Sequence, residues 1–213
     1  MSATNAATGL VLAPEDEGRL QLYALLARLF AAGPDESLLR ALSQSAGSIE
    51  GDGELAQAWN DLAAAAAHTS SKEATLEFDT TFIGVGKAPV STYLSHYHPV
   101  VHKEAVLVEL RATLARLGLA RTAASAEPED NLPAVLEVMR HLVAAGSDMQ
   151  SLQRQQEVFA RYLQPAYRAF CDAAHKVDLS DFYKAALRMF EAFMNSDLAQ
   201  FEMDEATLVE PRR

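Results

Sequence analysis

Cysteine is almost absent from this chain: Cys171 is the only one among 213 residues. A disulfide framework and a cysteine-rich zinc module are therefore excluded. Cys171 sits in the helical pattern "YRAFCDAAH", where a small core role suits it. Basic residues are also scarce. The 18 Lys and Arg face 29 Asp and Glu, the net charge is −11, and the basic residues are scattered. A nucleic-acid binder needs a basic stripe to release counterions from phosphates, so no nucleic-acid partner is expected. The acidic excess serves solubility and favours a basic partner. No apolar run reaches the roughly 18–20 residues that span a bilayer. The N-terminal "MSATNAATGLVLAPEDEG" lacks the basic and apolar regions of a secretory signal. A cytoplasmic protein without membrane insertion is the expectation. Strand-type alternation is missing too, and neither an internal repeat nor a low-complexity linker occurs.

What the chain does have is helical periodicity. Leu20, Tyr23, Leu26, Ala27 and Phe30 recur at three and four, which predicts a helix over Glu15–Ala32, stopped by Gly33 and Pro34. A short helix follows over Asp35–Gln44, and an alanine-rich one over Glu54–His68. Ser70 and Glu73 form a capping box, opening a helix that carries Leu76, Glu77, Phe78 and Thr81 toward Gly84 and Gly86. Lys103–Leu117 resumes the period until Gly118. Leu132–Ala144 follows, with Pro133 in its first turn. Asp148 caps Met149–Tyr162, Pro165 restarts a helix to His175, and Ser180 caps the last strong one. The fold class is thus all-α: one globular helical bundle over residues 1–213, with 1–14 flexible and the acidic tail 202–213 frayed or loosely helical. Two stretches, between Ile83 and His98 and between Gly118 and Asn131, are long loops, and loops of that size are functional or disordered.

The first loop, "FIGVGKAPVSTYLSHYHP", invites three chemical readings. A phosphate loop fails on spacing, because Thr81 stands where a Walker glycine belongs and Ala88 where its hydroxyl belongs. A dinucleotide fingerprint fails at Pro89. The two glycines read as a helix stop and a hinge. A metal or small-ligand site would use His96, His98 and His102 with Glu104, but Pro99 biases His98 away from helical geometry. Hydrolytic catalysis lacks a nucleophile elbow. The recognition reading uses Phe82, Tyr93 and Tyr97, since tyrosine gives rigid area and one hydrogen-bond handle; the alternative is that both tyrosines anchor the loop to the core. In the second loop, Glu127, Glu129 and Asp130 either complement a helix start or form a carboxylate cluster. No enzyme, no cofactor and no metal emerge.

The order of these motifs resembles the TorD/DmsD/NarJ family of redox-enzyme maturation chaperones. Phe78, Phe82 and Gly84 precede a loop ending in Tyr93, Ser95 and Tyr97; Glu127, Pro128 and Asp130 follow; Phe182, Tyr183 and Phe193 close the series. Asn131 stands where the family carries histidine. The resemblance implies an all-α cytoplasmic chaperone, monomer or dimer, that binds the twin-arginine leader and apo-form of a molybdopterin oxidoreductase catalytic subunit until its cofactor is inserted, proofreading it before export. It also implies a peptide groove at the two loops, with Phe82, Tyr93, Ser95, His96, Tyr97, Glu127, Pro128, Asp130 and Asn131 as partner-binding residues. A general protein-binding adaptor using the same groove is the bland alternative.

Overall fold

The computed structural model describes residues 12–84, 86–100, 102–120 and 127–209, with side chains described as far as 203. The expected flexible segment 1–14 therefore lies almost wholly outside the described residues. Nine α-helices and no strand are present among those described: α1 Pro14–Ala31, α2 Glu36–Ser43, α3 Glu54–Ala67, α4 Ser71–Phe78, α5 Lys103–Arg116, α6 Leu132–Ala144, α7 Met149–Val158, α8 Tyr167–Ala174 and α9 Asp181–Val209.

Local chemistry sets most boundaries. Pro14 lies in the first turn of α1, followed by Glu15, Asp16 and Glu17 at the positive end of the helix dipole. The Asp35 carboxylate caps α2 by accepting from Leu38 N, and Asp148 caps α7 by accepting from Gln150 N and Ser151 N. Ser70 Oγ accepts from Glu73 N at 3.3 Å and donates to the Glu73 carboxylate at 2.7 Å, closing the capping box. Gly33 has a different job from the expected cap. The chain passes so near α4 that a Cβ there would sit 2.4 Å from Thr75 Cα.

Two helices differ from the periodic reading. After Phe78, the ladder of α4 widens into a π turn over Asp79–Ile83, with Gly84 N donating to Asp79 O at 2.7 Å. After Val158, α7 does the same over Phe159–Leu163. One extra residue per turn leaves the apolar pattern nearly intact, so periodicity does not announce it. Into the acidic tail, α9 continues through Val209, with no glycine or proline across residues 181–209.

One contiguous hydrophobic core runs from α1 to α9. α1 packs along α6, α3 along α9, and α2 against α3. At its centre Phe30 meets Phe82, Phe170 and Phe190 edge to face, with ring centroids 5.4–5.9 Å apart. Cys171 is buried in this core, and burial pushes its thiol well above the ordinary range. At one end a polar cluster ties α1, α7 and α9 together. Arg19 donates to both Asp197 carboxylate oxygens and to Gln155, and the Tyr23 hydroxyl donates to Asp197. Gln155 in turn donates to the carbonyls of Leu142 and Gly146.

Candidate functional site

The two long loops meet. Leu132 N donates to Thr92 O at 2.7 Å and Leu94 N donates to Asp130 O at 2.9 Å, forming an isolated antiparallel bridge between Tyr93 and Asn131. Side chains reinforce the join. The Tyr93 hydroxyl donates to Glu127 Oε2 at 2.6 Å, and Asn131 Nδ2 lies 3.3 Å from Thr92 Oγ1 and 3.5 Å from Glu127 Oε2. The hydrogen bond to Glu127, helped by desolvation, pushes the Tyr93 phenol up to about 12. Asn131 thus supplies by amide the kind of contact that a neutral imidazole would give, without a charge that titrates.

A second anchor holds the first loop to the helices. Val90 N donates to Thr81 O at 3.0 Å, and Val90 is fully buried. Gly84 turns the chain out of the π turn at φ 67° and ψ 166°, a conformation essentially reserved for glycine. A Cβ there would stand 2.8 Å from Ala88 Cα. Tyr97 closes the loop by donating to Ser91 O at 2.9 Å and by packing its ring edge-on against Phe170. Burial pushes its phenol up to about 12.

Together the clasped loops roof a groove of about 820 Å³ against α1, α4 and α6. Phe30, Phe78 and Phe82 form its deep apolar side, and all three are buried. Tyr93, Pro89, Ala88 and Ile83 continue the lining outward, where Ile83 is 60 % exposed. Glu127 and Glu137 bring carboxylates to the exposed edge, and Arg28, Lys87 and His96 bring cationic or titratable groups. Arg28 pairs with Asp35, and Glu137 with Arg140 at 2.7 Å.

The structure sorts the candidate residues into distinct positions. Phe82, Tyr93, His96, Glu127 and Asn131 line the groove. Ser95, Tyr97, Pro128 and Asp130 do not; they lie in the loops behind it. Asp130 is only 3 % exposed, and its carbonyl is the acceptor that holds Leu94. Glu129 turns away to meet Arg111 at 2.9 Å. The three histidines separate. His96 is exposed on the groove. His98 Nε2 donates to Arg161 O at 3.1 Å, leaving its buried Nδ1 without a partner among the described residues. His102 stands before the first turn of α5. No three His, Cys, Asp or Glu side chains among the described residues converge to hold a metal.

Sequence reading missed the far wall of the groove: Ala27, Arg28 and Ala31 on α1, and Pro133, Ala134 and Glu137 on α6. A signal existed in α6. Its core face is Leu132, Val135, Leu136 and Met139, and the small residues 133 and 134 with Glu137 fall on a different face. A second groove of about 600 Å³ lies between α3, α4 and the start of α9. Its walls mix several charged residues with apolar ones, with Asp61 paired to Arg188 at 3.4 Å and Glu77 accepting from Ser180 N at 2.6 Å. No helix among the described residues is long and apolar enough to cross a membrane.

A family model described as nitrate reductase delta subunit matches residues 50–172, more than half of the chain. The matched stretch contains both loops and every loop residue named above. Comparison with curated proteins gives no match.

Proposed function

Because the chain belongs to the nitrate reductase delta subunit family, a branch of the TorD/DmsD/NarJ chaperones that serve molybdoenzyme maturation, we propose that its loop-roofed groove binds the twin-arginine leader of a molybdopterin oxidoreductase catalytic subunit. The protein acts in the cytoplasm as a non-catalytic chaperone. It holds the apo-subunit until the molybdenum cofactor is inserted, and so withholds it from export.

The observation that carries this reading is the groove's division of labour. A twin-arginine leader offers two guanidinium groups beside an apolar segment. Guanidinium groups seek carboxylates with bidentate geometry, and apolar segments seek aromatic walls. The groove presents Glu127 and Glu137 at its exposed edge and Phe30, Phe78 and Phe82 at depth. Its volume of about 820 Å³ suits a few side chains of an inserted peptide, not a folded domain. The rest of the apo-subunit would then contact the outer surface.

The test is a titration with labelled leaders of the molybdoenzyme subunits encoded by the same genome. Binding to a leader with Arg-Arg, weakened at least tenfold by Lys-Lys, is expected, because lysine keeps the charge but loses the planar fork. Equal binding to both versions, or binding to none, would refute it.

A further inference from the structure

We propose that Tyr183 is a hydrogen-bond donor held in reserve beneath the groove, for a backbone carbonyl of the bound leader; this rests on the reading of the groove as the leader site.

The chain has six tyrosines. Five have a hydrogen-bond partner for the hydroxyl. Tyr23 donates to Asp197, Tyr93 to Glu127, Tyr97 to Ser91 O and Tyr167 to Asn195, while Tyr162 shares a bond with Thr113. Tyr183 is the exception. Its side chain is fully buried, and its hydroxyl has no partner among the described residues. Burying a hydroxyl unsatisfied costs its full desolvation, and a phenylalanine of the same shape would avoid that cost.

Its position suggests when the hydroxyl is used. The Tyr183 ring contacts Phe82 at 5.7 Å and Phe78 at 6.5 Å between centroids. Those two rings line the groove, so the Tyr183 ring packs directly behind part of its wall. Phe82, unlike Phe78, lies past the last residue of α4. It sits on the π turn, two residues before Gly84, and Gly86 follows with φ 93°. A π turn ending at paired glycines is a place where a short segment shifts without unravelling its helix. Displacing Phe82 by an apolar side chain of the leader would bring the hydroxyl to the groove. Burial, together with Glu77 and Asp79, keeps this phenol protonated and so a donor. An extended peptide offers carbonyls at regular spacing, whereas its apolar side chains offer no acceptor.

Tyr183→Phe tests this, with a fluorescently labelled Arg-Arg leader as the probe and thermal melting of the unbound protein as the companion measurement. The expected result is a melting temperature equal to or above that of the wild type, with leader affinity lowered about five- to tenfold. Unchanged affinity would overturn the proposal while leaving the groove assignment standing. A lower melting temperature for the unbound variant would overturn it too, since the hydroxyl would then have an acceptor without the leader. Failure of the wild type to bind any leader would remove both readings.

Discussion

The two ends of the core treat buried polarity in opposite ways. At the α1–α9 end, Arg19, Tyr23, Gln155 and Asp197 satisfy one another, and Asp197 is 2 % exposed. At the groove, the polar groups hold loops together at an exposed edge, and the Tyr183 hydroxyl has no partner among the described residues. The first arrangement fixes one geometry across 178 residues of sequence. A fully partnered buried network gives stability to lose but nothing to offer a ligand. The second leaves hydrogen-bonding capacity beside an open groove, and recognition sites are built from such capacity.

The largest effect should come from breaking the first end. Asp197→Ala leaves the Arg19 guanidinium and the Tyr23 hydroxyl without their shared acceptor, and should cost about 3–5 kcal/mol in urea unfolding. Leader affinity of the folded fraction should stay within about twofold, because no member of the cluster lines the groove. Gly84→Ala comes next. It forces a Cβ onto a backbone region reserved for glycine and against Ala88, at a cost of about 1–3 kcal/mol. Unlike Asp197→Ala, it should also weaken the leader, since Ile83 beside it and Gly86, Lys87, Ala88 and Pro89 beyond it line the groove. Both readouts come from one set of denaturation and titration curves.

Smaller still is Glu127→Gln. Stability should change by less than about 1 kcal/mol, as expected for an exposed pair, while leader affinity falls about tenfold. The same variant should act on Tyr93. With the carboxylate gone, the phenol should titrate below its present value of about 12 and nearer its ordinary one, as seen in the ultraviolet spectrum. The sign follows from the bond. Glu127 accepts the phenolic proton and repels the phenolate, so the folded state holds that proton more tightly than the unfolded chain. The clasp's contribution is complete below about pH 10 and is lost as pH rises toward 12.

Local chemistry was legible where one segment decides the outcome. Ser70, Asp148 and the span Leu132–Ala144 stand as their residues suggested. The loops were recognisable as the unusual part of the chain because glycine, proline and aromatics interrupt a helical period. What one segment cannot decide was hidden. Glu127, Glu129 and Asp130 look alike in sequence, yet one clasps Tyr93, one meets Arg111 and one is buried. The pairing of Tyr93 with Asn131, and of Arg19 with Asp197, is long-range and leaves no periodic trace. Tyr97 illustrates the mixture: its hydroxyl and ring serve the loop's own closure, not the groove.

The central claim is that the leader occupies the loop-roofed groove rather than the second one between α3, α4 and α9. Amide hydrogen exchange with and without a saturating Arg-Arg leader distinguishes them directly. The account predicts added protection over residues 78–97 and 127–137, with none gained over 61–69 or 180–188. Protection confined to those latter residues would contradict it.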